Sequence, residues 1–154
     1  MPNADERAEE LRLLMQRLFR RFGALAADAT PCGKPLPIAH AHALMSLLDR
    51  GELSQQELGK ELGIDKSNVT RLCARMVEEG HVEQRANTED GRSRLVALTM
   101  KGRKLAREVD AASGERFGQL LRALPSARRS VVIDSLRQLV AAIETASPGR
   151  ETGE

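Results

Sequence analysis

Leu53-Ser54-Gln55-Gln56-Glu57-Leu58-Gly59-Lys60-Glu61-Leu62-Gly63-Ile64-Asp65-Lys66-Ser67-Asn68-Val69-Thr70-Arg71-Leu72 is the stretch on which the architecture turns. Ser54-x-x-Glu57 is a capping box, in which the serine hydroxyl and the glutamate carboxylate satisfy amides left open at a helix start. It predicts a short helix ending near Leu62-Gly63, then a tight turn. Ile64-Asp65 opens a second helix, in which Val69, Leu72, Cys73, Met76 and Val77 recur at i, i+3, i+4, i+7 and i+8. That spacing makes one apolar face. Lys66, Ser67, Asn68, Thr70, Arg71, Ala74 and Arg75 fall on the opposite face, and Gly80 supplies a left-handed stop. Two helices across a tight turn, the second apolar inside and polar outside, form the layout of a helix-turn-helix, whose second helix enters a DNA major groove.

Downstream, His81-Val82-Glu83-Gln84-Arg85 and Arg94-Leu95-Val96-Ala97-Leu98 read as two strands of a hairpin around the turn formers Asn87-Thr88-Glu89-Asp90-Gly91-Arg92. The formal net charge is only +2. Between Arg85 and Arg107, however, seven basic residues stand against two acidic ones, a local excess that suits a polyanion whose condensed counterions can be displaced. The hairpin turns the segment from Leu53 to Thr99 into a winged helix-turn-helix. Ser67, Asn68, Thr70 and Arg71 are then placed to bond base edges or phosphates, while Lys66, Arg75 and Arg94 suit phosphates. At the wing tip, Asp90 can orient Arg92, whose guanidinium fits a narrow, electronegative minor groove.

Outside this lobe the pattern is helical. A first helix is expected from Asp5 to Ala27 with Leu11, Leu14, Met15, Leu18, Phe22 and Leu25 as its stripe, followed by a loop at Thr30-Pro31-Cys32-Gly33-Lys34-Pro35-Leu36-Pro37. A second, mostly buried helix runs from Pro37 to Asp49 with Ile38, Leu44, Met45, Leu47 and Leu48. Thr99 caps a long helix from Met100 to Leu124 with Leu105, Val109, Ala112, Leu120 and Leu121 inward, and Ser126 caps a last helix to Ala146. The stripe Leu136, Leu139, Val140, Ile143 of this last helix, like Leu11, Leu14 and Leu18 of the first, is too apolar for a free surface, so a second copy of the chain is expected to cover both. The expected fold is mainly α with a small β-hairpin: residues 37–99 form the winged lobe, residues 5–36 and 100–146 a helical dimerisation lobe, and residues 147–154 a disordered tail.

A chain of 154 residues with 41% hydrophobic and 30% charged residues can bury one core. No apolar run reaches bilayer length and the amino terminus lacks a signal-peptide layout, so a cytoplasmic protein is expected. Trp and Tyr are absent and Phe is present only three times, which disfavours stacking platforms for single-stranded nucleic acid. No nucleophile elbow, phosphate loop or paired-carboxylate motif occurs, so no enzyme and no cofactor is expected. Cys73 lies on the apolar helix face and reads as a small buried hydrophobe. Cys32, in an accessible loop with Lys34 as the only nearby base, is the candidate redox residue. His40 and His42 with Cys32 suggest a metal, but histidines two apart on a helix point to different sides, so no metal site is expected.

In order and spacing, Leu53-Ser54-Gln55-Gln56-Glu57-Leu58, Asp65-Lys66-Ser67-Asn68-Val69-Thr70-Arg71-Leu72, Glu79-Gly80-His81-Val82-Glu83, Asp90-Gly91-Arg92 and Leu98-Thr99-Met100-Lys101-Gly102 together resemble the MarR family of bacterial transcription regulators. The resemblance implies a homodimer of interlocked first and last helices, with each recognition helix and wing on half of a palindromic operator. It also implies repression relieved by a small phenolic or lipophilic effector, an oxidant or a metal. Peroxide-sensing members carry the reactive cysteine in the first helix, where this chain has none. The candidate effector cleft lies where the second helix, near His42, Met45 and Leu48, meets the first helix and the winged lobe. Two other readings stay open: a redox- or metal-sensing regulator of the same fold, and a winged-helix protein-interaction module.

Overall fold

The computed structural model describes residues 1–89 and 91–147. Its elements run α1 (Ala4–Phe22), α2 (Ile38–Arg50), β1 (Leu53–Ser54), α3 (Gln55–Leu62), α4 (Lys66–Glu78), β2 (Val82–Ala86), β3 (Arg94–Leu98), α5 (Met100–Ala123), a 3-10 turn (Ser126–Arg128) and α6 (Arg129–Ala146). Among the described residues no helix is long and apolar enough to cross a membrane.

The capping residues act as their types dictate. The Ser54 hydroxyl accepts from the Glu57 amide while the Glu57 carboxylate accepts from the Ser54 amide, so α3 starts on a full capping box. Gly63 ends it in the left-handed region, at φ 67°. Asp65 caps α4 through the Asn68 amide, and Thr99 caps α5 through the Gly102 amide. Asn3 and Glu6 form a further capping box at the start of α1.

Five expectations change. The first helix stops at Phe22 rather than Ala27, because Gly23 adopts φ 89° and its amide, with that of Ala24, closes onto the Phe19 carbonyl. Leu25 is therefore outside the helix and 71% exposed. The hairpin becomes a three-stranded antiparallel sheet of order β1-β3-β2: Leu53 pairs with Val96 and Ser54 with Leu95, while β2 pairs with β3 from Val82↔Leu98 to Ala86↔Arg94. His81 precedes the sheet instead of starting it. Ser126 opens a 3-10 turn with no side-chain cap, so α6 begins only at Arg129. Leu120 and Leu121 are exposed, since the inward face of α5 is confined to its first half, where Ala106 and Val109 are fully buried.

The core explains that limit. It gathers Ala41, Ala43, Leu44, Leu47, Leu53, Leu58, Val69, Cys73, Met76, Val82 and Val96 of the winged lobe, Leu36 just before it, and Ala106 and Val109 of the first half of α5. Ala41, Ala43 and Ala106 carry small side chains that let α2 and α5 approach closely. α1 and α6 contribute no buried residue at all. Phe22 meets Phe117 of α5 with ring centroids 5.3 Å apart, which ties the end of α1 to the middle of α5. Of the expected tail, residues 147–154, all but Ser147 lie outside the described residues.

Candidate nucleic-acid interface

α4 sorts its side chains as the heptad spacing requires. Val69, Cys73 and Met76 are buried against the core, Leu72 is half-buried, and Lys66, Ser67, Asn68, Thr70, Arg71, Ala74 and Arg75 are exposed. Val77, expected inside, is 42% exposed in the last turn of α4, where the chain turns towards Gly80. The exposed face is already ordered. Asp65 binds Asn68 through both backbone and side chain, at 2.8 and 3.0 Å. The Arg71 guanidinium in turn donates to Asn68 Oδ1 at 2.9 Å and Ser67 Oγ at 3.3 Å. These contacts restrain the side chains of Ser67, Asn68 and Arg71 and reduce the rotamer entropy lost on binding.

Thr70 is held differently. Its hydroxyl donates to the Lys66 carbonyl and accepts from Gln55 Nε2 at 2.7 Å, while Gln84 of β2 donates to Gln55 Oε1 at 3.0 Å. Gln55 thus links α3, the recognition helix and the wing strand. Sequence reading missed this role, since a glutamine after a cap gives no signal of its own.

In the wing, β2 and β3 extend past Ala86 and Arg94 with Asn87 donating to the Ser93 carbonyl at 3.0 Å and the Glu89 amide donating to Asn87 Oδ1 at 3.1 Å. Arg92 and Arg94 are exposed. Asp90 lies outside the described residues, and so does its expected orientation of Arg92. Part of the basic excess is already bound within the chain. Arg85 makes two hydrogen bonds of 2.6 Å to Glu52, lowering the Glu52 pKa, and Lys101 donates to the Glu79 carbonyl at 2.8 Å. An open, mostly polar cleft of about 610 Å³ separates α3 from the wing and is lined by Ser54, Glu57, Lys60, Arg85, Asn87 and Ser93, among others.

The expected effector residues lie elsewhere. His42 is exposed, whereas Met45 and Leu48 are half-buried and pack on the core. Cys32 is half-buried in a turn closed by Thr30, with its sulfur 2.9 Å from the Thr30 hydroxyl. Cys73 is fully buried, and burial pushes its thiol up to about 11.

His40 does not join His42 or Cys32. Its side chain is 1% exposed, and its Nε2 stands 3.0 Å from Nδ1 of His81. The carboxylate of Glu79, at the end of α4, closes the group: its Oε2 is 3.5 Å from His81 Nδ1 and 3.8 Å from His40 Nδ1. Arg75 holds the other oxygen at 3.0 Å. Burial lowers both histidine pKa values against the raising effect of Glu79. For Glu79 burial acts upward but is outweighed by the Arg75 hydrogen bond and the neighbouring charges, so its carboxyl is lowered. Residue 40 is too far in sequence from residues 79 and 81 for any spacing rule to connect it with them.

Comparison with known proteins accords with this geometry. The MarR family profile matches residues 34–93, the winged lobe. YdgJ of Bacillus subtilis, an uncharacterized HTH-type transcriptional regulator, is 34% identical over 97 residues, 62% of this chain and 58% of that protein, so the match spans less than two thirds of the relative's length. A probable transcriptional regulator from Pseudomonas aeruginosa superposes with a TM-score of 0.73 at 25% identity, covering 86% of this chain and 98% of that one. A mutant MarR from E. coli complexed with operator DNA gives 0.71 at 22% identity, covering 90% and 99%. The winged lobe of this chain is thus similar to that of the MarR family, and its fold to that of solved transcription regulators.

Proposed function

We propose that the chain is a homodimeric transcription regulator that binds a palindromic duplex operator and is released from it by a small effector, a role without catalysis. The observation that carries this is the exposed, pre-ordered face Ser67, Asn68, Thr70, Arg71 of α4, flanked by the basic wing. α4 enters the major groove, with Ser67, Asn68, Thr70 and Arg71 at base edges and Lys66 and Arg75 at phosphates. The wing reaches the adjoining minor groove through Arg92, oriented by Asp90, and Arg94 holds backbone. Operator DNA bound to the structurally similar E. coli protein supports the same use of the lobe here.

Dimerisation rests on a second fact. Leu11, Leu14, Leu18, Leu136, Val140 and Ile143 are each 46% to 57% exposed, and α1 and α6 bury nothing in their own chain. Covering them with a second copy removes this apolar surface from water, and Leu139 extends the same stripe. Residues 5–36 and 100–146 thus form the dimer lobe, and two recognition helices about 34 Å apart match one DNA turn. Met45, Leu48 and His42 mark the α2 surface where a lipophilic effector shifts that spacing.

Fluorescence anisotropy of a labelled duplex taken from upstream of the chain's own gene tests this. Specific binding should weaken on the order of a thousandfold between 50 and 200 mM salt. Weak binding that ignores sequence, or a monomer at micromolar concentration, would overturn it.

A further inference from the structure

His40 comes from α2, Glu79 from the end of the recognition helix, and His81 from the residue before β2. Their ligand-type atoms all lie within 4.8 Å of one another. The hydrogen-bond arithmetic of this group does not close. A neutral imidazole carries one N–H and one lone pair. If His40 Nε2 donates to His81 Nδ1, the buried His40 Nδ1 is left as a lone pair with a carboxylate as its nearest polar neighbour. If His81 donates instead, the Nδ1–H of His40 faces Glu79 across 3.8 Å, too far for a bond. His40 Nδ1 is buried without a hydrogen-bond partner in either arrangement. Leaving such a group unmatched in the interior is unfavourable.

We propose that His40, Glu79 and His81 form a binding site for one divalent first-row transition metal ion of the zinc type. Two imidazole nitrogens and a carboxylate oxygen are the ligand set such ions accept while keeping a further position for water. Bonds of about 2.0–2.1 Å in tetrahedral array place ligand atoms about 3.4 Å apart. The observed separations of 3.0 Å between the two nitrogens and 3.5 Å from His81 Nδ1 to Glu79 Oε2 bracket that value. A cation between His40 Nε2 and His81 Nδ1 takes the place of their shared proton, so both present lone pairs. The proton of His40 then resides on Nδ1, on the side of the ring that faces the Glu79 carboxylate at 3.8 Å. Arg75 fixes the Glu79 carboxylate by its other oxygen and leaves Oε2 turned to the histidines.

The placement has a consequence for regulation. One ion here joins α2, the end of the recognition helix and the root of the wing. It also withdraws charge from the carboxylate that holds Arg75, one of the proposed phosphate contacts.

Isothermal titration of Zn²⁺ into the metal-free full-length chain, without DNA, tests the site independently of any operator. The expected result is one saturable ion per chain, with affinity reduced at least about tenfold in Glu79→Gln and His40→Gln and unchanged in Cys32→Ser. Circular dichroism checks that the variants fold, and Glu79→Gln decides alone where His40→Gln does not. No saturable binding to the wild type, or equal binding to Glu79→Gln, overturns the proposal.

Discussion

Gly102, in the first turn of α5, lies so close to the carbonyl group of His81 that a Cβ there would collide with its oxygen. The same carbonyl accepts from the Thr99 amide at 3.1 Å, and the Thr99 hydroxyl donates to the Gly80 carbonyl at 2.6 Å. Thr99 thus caps α5 and pins the end of the recognition-helix segment at once. The neighbour on the other side is backbone, which cannot swing away. Gly102→Ala should therefore destabilise the chain by about 3 kcal/mol, towards the top of the range for overpacking. Gly114 of the same helix has nothing within 4 Å of its would-be Cβ. Gly114→Ala should leave stability unchanged or raise it by up to about 1 kcal/mol. Urea unfolding of both variants distinguishes a steric role from generic helix propensity.

Arg71 and Arg94 should separate reading from holding. Arg71→Ala removes a guanidinium that Asn68 and Ser67 already orient. It should cost about 1–3 kcal/mol and relax preference at one operator position. Arg94→Ala should weaken all duplexes alike and lower the salt slope by about one. Anisotropy titrations against operator and scrambled duplexes measure both.

Leu136 and Val140 are 48% and 53% exposed on α6, which buries nothing within the chain. Val140→Asp should convert the proposed dimer to a monomer of 16.9 kDa in sedimentation equilibrium. Because the core lies within the winged lobe, that lobe's helical circular dichroism should persist.

Stability should fall on the acid side of neutrality. His40 and His81 have pKa values lowered from 6.5 by burial, so the folded chain favours their neutral forms and the unfolded chain binds more protons. The contribution is complete above pH 6.5 and is lost as pH falls below it. The groups facing the pair are Glu79, which raises both values, and Arg75 and Lys101, which act with burial on His40 and His81 respectively. The urea midpoint measured with chelator present should be lower at pH 5.5 than at pH 7.5, and His40→Gln should flatten the difference.

Cys73 is fully buried with a thiol pushed up to about 11, whereas Cys32 is half-buried in a surface turn. Reaction of the native chain with a disulfide reagent at neutral pH should titrate one thiol, and two after unfolding. A native count of two would show that α4 opens readily from the core.

The sequence by itself determined what depends on local chemistry. Ser54 with Glu57, Asp65 and Thr99 announced three helix starts because a cap is satisfied within three residues of itself, and the 3.6-residue period announced which face of α4 turns inward. The polar face of α4 followed from the same period. What the tertiary structure decided is whatever joins residues distant in the chain. Two residues, Leu53 and Ser54, became a strand only because β3 offered them partners, and too short a run carries no alternation to read. Leu120 and Leu121 looked inward by spacing yet stand exposed, since a helix longer than its core has nothing to bury its second half against. Arg85 counted towards a basic stripe until Glu52, thirty-three residues earlier, claimed it. His40 had no partner within its own helix. Folding brought Glu79 and His81 to it, because α2 and the end of α4 pack around one core, and that meeting of His40 with two residues some forty positions later is a property of the packing alone.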